Sequence, residues 1–223
     1  MTFKLFVEAI LKFSLGVVLI GVLIFWPAGT LEFVGGWLLM TILFVPMFLA
    51  GIVMMMFNPS LLASRLNAKE KEKTQDIVVK LSGLMFIVTF VLAGLDFRFG
   101  WLNLPFAVNI VGAVIFIIAY LIYAEVLREN TYLSRTIEVK EGQKVISTGL
   151  YGIVRHPMYF ATILLFGAMP LVLGSVIAII PLIAYPFIIA ARIKNEEEVL
   201  TRELDGYEEY KKQVKYRMIP FVW

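Results

Sequence analysis

His156–Ala191 reads HPMYFATILLFGAMPLVLGSVIAIIPLIAYPFIIAA, 36 residues without a single Asp, Glu, Lys or Arg. One continuous helix of that length would reach about 54 Å, against roughly 30 Å of membrane hydrocarbon. Pro170, Gly174 and Ser175 interrupt the stretch near its middle, and Pro181 and Pro186 follow. It therefore reads as a hairpin of two shorter helices, near 158–169 and 175–193, which brings its two polar flanks to the same side of a bilayer.

Working outward, four more uncharged runs precede it: Phe13–Leu31, Phe33–Ser64, Leu81–Leu95 and Phe99–Ala124. Each must be helical, because an open strand edge in lipid leaves backbone groups unpaired at several kcal/mol each. The first follows Lys4 and Lys12 in the manner of a signal peptide. Its apolar core is too long for one and Trp26-Pro27 makes a poor cleavage site, so it reads as a retained anchor. The second is expected to stop near Phe57, before Asn58-Pro59-Ser60. The third extends back through Ile77–Val79 while Lys80 snorkels to the surface. With the hairpin, the fold class is an all-α polytopic membrane helix bundle of about six spans.

Charge placement tests that count. Six spans put the N-terminus, 58–80, 128–155 and the tail after Ala191 on one side. These hold 2, 5, 5 and 7 of the 20 Lys and Arg residues, and only Arg98 lies opposite. The positive-inside rule makes that side cytoplasmic. A single last span would translocate the seven tail charges and weaken the bias. Residues 1–127 then form four transmembrane helices. Residues 128–223 form a loop, the helical hairpin and a cytoplasmic C-terminal helix.

Composition agrees with a membrane chain. Of 223 residues, 60% are apolar and 17% charged, and the mean hydropathy is +0.86. That excludes a disordered chain. The absence of cysteine excludes disulfides, thiolate metal sites and a cysteine nucleophile. A formal net charge of +3 gives no case for nucleic acid. A lone histidine cannot build a zinc site without cysteine partners, so no metal is expected.

The 28-residue loop ends EGQKVISTGLYGIVRHPMY, 141–159. Pro157 suits the first turn of a helix, leaving Arg155 and His156 beside free backbone N–H groups at a positive helix end. Read alone, Arg155 is a membrane-interface anchor. Beyond the hairpin, Arg192 and Glu196 are i,i+4 and share a helix face. On a solvated surface such a pair is worth a few tenths of a kcal/mol, and Glu198 and Glu203 read as surface charges of that kind. At a membrane boundary the cluster instead suggests a site. Tyr207, Tyr210 and Val214 recur at helical spacing, and this stripe reads as packing rather than ligand contact.

Gly149-x-Tyr151-x3-Arg155-His156-Pro157-x-Tyr159, then a hairpin, then Arg192-Ile-x2-Glu196-Glu197-x2-Leu200 and Tyr207-x2-Tyr210-x3-Val214 resembles the isoprenylcysteine carboxyl methyltransferase family. Phospholipid methyltransferases share the pattern more loosely. The resemblance covers about residues 138–223. It departs from the family at Ala161, at Asn195 and in the short Asp205-Gly206-Tyr207 step. It implies a methyltransferase that uses S-adenosyl-L-methionine and takes a lipophilic acceptor from the bilayer. It also implies that Gln143, Lys144, Val145, Ile146, Tyr151, His156, Pro157, Met158, Tyr159 and Glu196 hold the cofactor, while Arg192 positions the acceptor.

The chemistry of the residues fits these roles. Carboxylates at Glu196 and Glu197 can pair with the cofactor's amino group, helix-start amides suit its carboxylate, and tyrosines can cover its adenine and sulfonium. Methyl transfer is an in-line displacement that needs alignment above all. A carboxylate acceptor is already nucleophilic, and Arg192 would orient it. A sulfur or amine acceptor would need a base, for which His156 is the candidate.

Two other classes fit parts of the sequence. An NADPH-dependent membrane reductase of the sterol-reductase type shares the Arg-His step and the Tyr-rich tail. The Arg192-x3-Glu196-Glu197 spacing favours the methyltransferase. A transporter normally buries ionisable groups at mid-membrane, and Glu8, Asp96 and Glu125 all fall near span ends. The lack of an organelle-retention signal points to a prokaryotic plasma membrane.

Overall fold

The structure, a computed structural model, describes residues 3–66, 73–102, 104–134 and 136–223. Lys69, Lys71 and Arg135 of the charge count thus lie outside the described residues. The helices are α1 (Phe3–Ala28), α2 (Val34–Phe57), α3 (Pro59–Leu66), α4 (Lys73–Phe99), α5 (Ala107–Glu129), α6 (Pro157–Val172), α7 (Tyr185–Glu203) and α8 (Tyr207–Gln213). No strand occurs among the described residues. This is the all-helical, polytopic bundle expected.

Among the described residues, five segments are long and apolar enough to cross a membrane: Phe3–Ala28, Val34–Phe57, Asp76–Phe99, Ala107–Glu129 and Ile177–Glu203. The sixth, α6, has only 16 residues, about 24 Å at helical rise. Six spans therefore resolve into five of full length and one short hairpin arm. The second arm does not start as an α-helix at Ser175. Gly174 turns the chain with φ 71°, and 3₁₀ turns follow at Ile177–Ile179 and Pro181–Ala184. The reason is chemical: Pro181 has no N–H for the Ile177 carbonyl, so the i→i−4 ladder cannot form there. Pro186 falls in the first turn of α7, where its missing N–H costs nothing.

Other boundaries shift for similar reasons. α1 begins ten residues before its uncharged run and absorbs two lysines, because Lys12 Nζ meets Glu8 at 2.6 Å and the Leu66 carbonyl at 2.7 Å. α5 starts at Ala107, after Pro105, rather than near Phe99. α2 stops at Phe57 as expected, and the chain restarts at once as α3. There Asn58 Oδ1 accepts from the Leu61 N–H at 3.1 Å, a side-chain cap with Pro59 in the first turn.

Packing explains how the hairpin is held. α5 lies closest to α6, α1 against α4. At Gly112 an added Cβ would stand 2.6 Å from the Val172 nitrogen, so only glycine permits this approach of α5 to α6. Ile24, Leu39, Phe116 and Val172 are fully buried in the bundle core, whereas Leu15, Val18, Leu19 and Leu121 face outward as a lipid-exposed surface. The far end of the hairpin is pinned by polar bonds. Ser175 Oγ donates to Asp96 Oδ2 at 2.6 Å, and Asn109 Nδ2 donates to the Val172 carbonyl at 2.8 Å. Pinned there, both arms return to the same end of the bundle.

Candidate active site

Residues 154–159 open α6, and 192–200 form the last turns of α7. The hairpin sets them side by side, with the imidazole of His156 3.3 Å from the Glu197 carboxylate. Two adjacent carboxylates on α7 then do different things, because successive helical residues point about 100° apart.

Glu197 turns inward and is buried. Its Oε1 accepts from Arg155 Nε at 2.7 Å and faces His156 Nε2 at 3.3 Å, while its Oε2 accepts from Arg217 Nε at 2.9 Å. Arg155 also donates through Nη1 to the carbonyls of Val214 and Lys215, at 2.7 and 2.8 Å. The backbone N–H groups of Arg155 and His156 donate to the carbonyls of Tyr216 and Arg217, at 3.0 and 2.7 Å. Arg155 is thus a buried clamp on the C-terminal tail, not the interface anchor its position in the sequence suggests.

Glu196 turns toward a cavity. Tyr159 donates its hydroxyl hydrogen to Glu196 Oε2 at 2.5 Å and accepts from Arg192 Nε at 2.9 Å. The phenol therefore joins the two halves of the hairpin. The cavity is partly open and has a volume of about 100 Å³, and its walls come from residues between Asn130 and Ile146, α6, α7 and α8. Of the residues singled out in the sequence, Gln143, Lys144, Val145, Ile146, Tyr151, His156, Met158, Tyr159, Arg192 and Glu196 line it. Pro157 and Glu197 do not.

The loop that closes the cavity has its own supports. Gln143 Oε1 accepts from the Lys140 N–H at 2.9 Å. The Leu150 N–H donates to Glu129 Oε2 at 3.0 Å, and Gly149, with φ 50°, leaves that carboxylate the room a side chain would take. Asn130 Nδ2 donates to the Tyr151 hydroxyl at 3.0 Å, and the Tyr210 hydroxyl donates to the Tyr151 carbonyl at 2.7 Å. From the other side, α3 holds the same segment. Arg65 donates to the Ser134 carbonyl at 3.3 Å and to the Tyr123 hydroxyl, and Lys140 Nζ donates to Ser64 Oγ at 2.7 Å.

Sequence reasoning missed several lining residues: Asn130, Glu138, Leu200, Tyr207 and Tyr210. The tyrosine stripe does pack, with Leu204 and Val214 against Val139, Val145 and Leu200. Both rings also face the cavity, so one residue serves core and wall together. Burial pushes the phenols of Tyr151, Tyr207 and Tyr210 well above their ordinary range, and for Tyr207 the carboxylates of Glu197 and Glu196 add to the effect. They stay neutral donors at any physiological pH. The Tyr207 hydroxyl is buried and has no hydrogen-bond partner among the described residues. A native structure rarely leaves such a group unpaired, and here it belongs to a residue that lines the cavity. Among the described residues no cluster of His, Asp and Glu could hold a metal ion.

No curated protein matches the chain. Residues 109–202, which contain α5 but for its first two residues, the loop, α6 and α7 almost to its end, match the model of the isoprenylcysteine carboxyl methyltransferase (ICMT) family, and this matched segment builds most of the cavity.

Proposed function

We propose that the protein transfers a methyl group from S-adenosyl-L-methionine to a lipophilic acceptor of the isoprenylcysteine carboxylate type, in a cavity facing the cytoplasm at a prokaryotic plasma membrane. The observation that carries this reading is the Tyr159–Glu196–Arg192 chain at the wall of a cavity that Tyr207, whose buried hydroxyl has no partner among the described residues, also lines. These groups suit a zwitterionic, nucleoside-bearing ligand: a carboxylate for its ammonium, a neutral phenol donor for its oxygens, and aromatic walls for its base. When bound, the cofactor supplies an electrophilic methyl group on a sulfonium centre.

The chain's own residues supply placement. Glu196 holds the cofactor's amino group. The positive end of α6, which opens at Pro157, suits its carboxylate. Gln143–Ile146, Tyr151 and Met158 line the remaining wall. Arg192 orients the acceptor carboxylate, and Tyr159 fixes Arg192 against Glu196 so that donor and acceptor meet in line. A carboxylate acceptor needs no general base, and His156 then serves cofactor binding. No observation favours the reductase reading.

Purified protein in detergent is to be heated with S-adenosylmethionine, S-adenosylhomocysteine or NADPH. The first two are expected to raise the unfolding midpoint by mass action, and NADPH to leave it unmoved. Stabilisation by NADPH alone would overturn the proposal. Membranes containing the protein, given cofactor with a labelled methyl group, should yield a lipid-soluble product. Base should release its label as methanol, the signature of a carboxyl ester. A base-stable label would move the acceptor to an amine or a sulfur.

A further inference from the structure

The last residues, Lys215–Trp223, take no part in the family match, which ends at 202. They form a closed loop in which the amides of Met218 and Ile219 donate to the Trp223 carbonyl at 3.0 and 3.1 Å, and the amides of Val222 and Trp223 donate to the Ile219 carbonyl at 3.2 and 3.1 Å. One flank of this loop is inside the protein. Met218 is buried with Met85 of α4 and Ile189 of α7, and Ile219 and Trp223 pack on the same cluster. The other flank is bare: Phe221 is 87% and Val222 75% exposed. Phe221 also holds φ 65°, the only positive φ at a non-glycine among the described residues. A β-hydrogen-bearing aromatic in that region is strained, so the fold spends strain to present an apolar tip.

Depth along the helices says what covers the tip. Met85 lies five residues beyond Lys80, about 7 Å deeper along α4, and Ile189 lies three residues inside Arg192, about 4.5 Å deeper along α7. The loop that rests on both is therefore inside the level of the cations that mark the membrane boundary. That depth matches the headgroup zone, roughly 5–7 Å thick on each side of the hydrocarbon. Leu81 and Leu84 of α4 and Phe187 of α7 are also exposed apolar side chains on these two helices. Lys215 is exposed and Arg217 partly so beside the tip, the usual company of an interfacial aromatic.

We propose that Phe221 and Val222 form a membrane-inserting tip whose partner is phospholipid at the headgroup–acyl boundary, on the lipid side of the cavity end of α4 and α7. This rests on the membrane placement of those helices and not on the identity of the methyl donor.

The chain has no cysteine, so Phe221→Cys and Val222→Cys can each carry one environment-sensitive fluorophore, with Glu208→Cys on the exposed face of α8 as reference. The full chain is reconstituted in phosphatidylcholine–phosphatidylglycerol vesicles. Blue-shifted emission, with quenching by shallow nitroxide-labelled lipid several-fold stronger than at Glu208 and weak quenching by iodide, is the expected result. Water-like emission with iodide quenching equal to that at Glu208 overturns the proposal. So does a blue-shifted probe that neither lipid nitroxide nor iodide reaches, which would mean a protein partner covers the tip. Either cysteine variant alone suffices if the other fails to fold, and tail docking in each unlabelled variant is checked as the emission lost on adding Trp223→Phe, since the chain holds three other tryptophans.

Discussion

Glu197→Ala tests the internal half of the site. The carboxylate is the shared acceptor of Arg155 and Arg217 and faces His156, and its own side chain and that of Arg155 are only 8% and 7% exposed. Truncation leaves a guanidinium buried without its counter-ion, a loss of about 3–5 kcal/mol in other proteins. Two features place this case at the lower end. Arg155 keeps the carbonyls of Val214 and Lys215, and Arg217, at 37% exposure, can turn to water so that its pair contributes little. A loss of about 3 kcal/mol, at roughly 2–4 °C per kcal/mol for a chain of this size, lowers the unfolding midpoint by about 6–12 °C.

Glu197→Gln separates charge from shape. The amide keeps an oxygen for Arg155 but turns an N–H₂ toward the side where a donor already stands, costing about 1–2 kcal/mol. The assay is thermal unfolding in detergent at one fixed scan rate, because the midpoint of such a chain depends on scan rate. Hydrogen exchange at the amides of Arg155 and His156 is read alongside, since both donate to the tail. The expected order is wild type, then Gln, then Ala, with exchange fastest in Ala. An alanine variant within 2 °C of wild type, or less perturbed than glutamine, would refute the reasoning: the cluster would then be hydrated, and the tail held by apolar packing alone.

Three further outcomes are expected. Arg192→Ala lowers kcat/KM for the acceptor about 10–100-fold, the worth of a charged hydrogen bond, while calorimetry finds cofactor affinity preserved; lost cofactor affinity would contradict the assigned role. Tyr207→Phe leaves the ligand-free protein as stable as before, since the hydroxyl has no partner to lose, but weakens cofactor binding about 5–10-fold. Gly112→Ala forces α5 from α6, where the added carbon meets backbone, and destabilises by about 1–3 kcal/mol; Gly167→Ala, with open space around it, is neutral or stabilising in a helix interior.

The fold was legible because its main determinant, where charge is absent, is written along the chain. The hairpin in 156–191 follows from length, from the Pro, Gly and Ser interruptions and from the placement of charge on its flanks. Helix ends were less legible where local chemistry offsets a charge, as Glu8 does for Lys12 inside α1. α3 was missed because eight residues of mixed polarity carry no strong period, and its purpose is visible only in space: Lys140 reaches Ser64 across 76 positions and Arg65 reaches Ser134 across 69. Arg155 and His156 looked alike as neighbours at a helix mouth. Their carbonyl partners, Val214–Arg217, lie some 60 residues downstream, beyond the reach of any spacing rule.

The paired glutamates show most directly how one sequence step becomes two functions. Side by side in the chain, Glu196 and Glu197 offered the same chemistry, and both were candidates for the cofactor's amino group. A helix cannot aim adjacent residues at one target. With Glu197 held by Arg155, Arg217 and His156, the next position back is rotated about 100° away and faces the cavity through Tyr159. The buried ion cluster thereby sets the rotation of α7 that aims Glu196 and, one turn earlier, Arg192. Because Arg192 and Glu196 are four residues apart, a small rotation moves both together relative to Tyr159. Loosening the tail should therefore disturb donor and acceptor alignment jointly, whereas substitutions at Glu196 or Arg192 disturb one at a time.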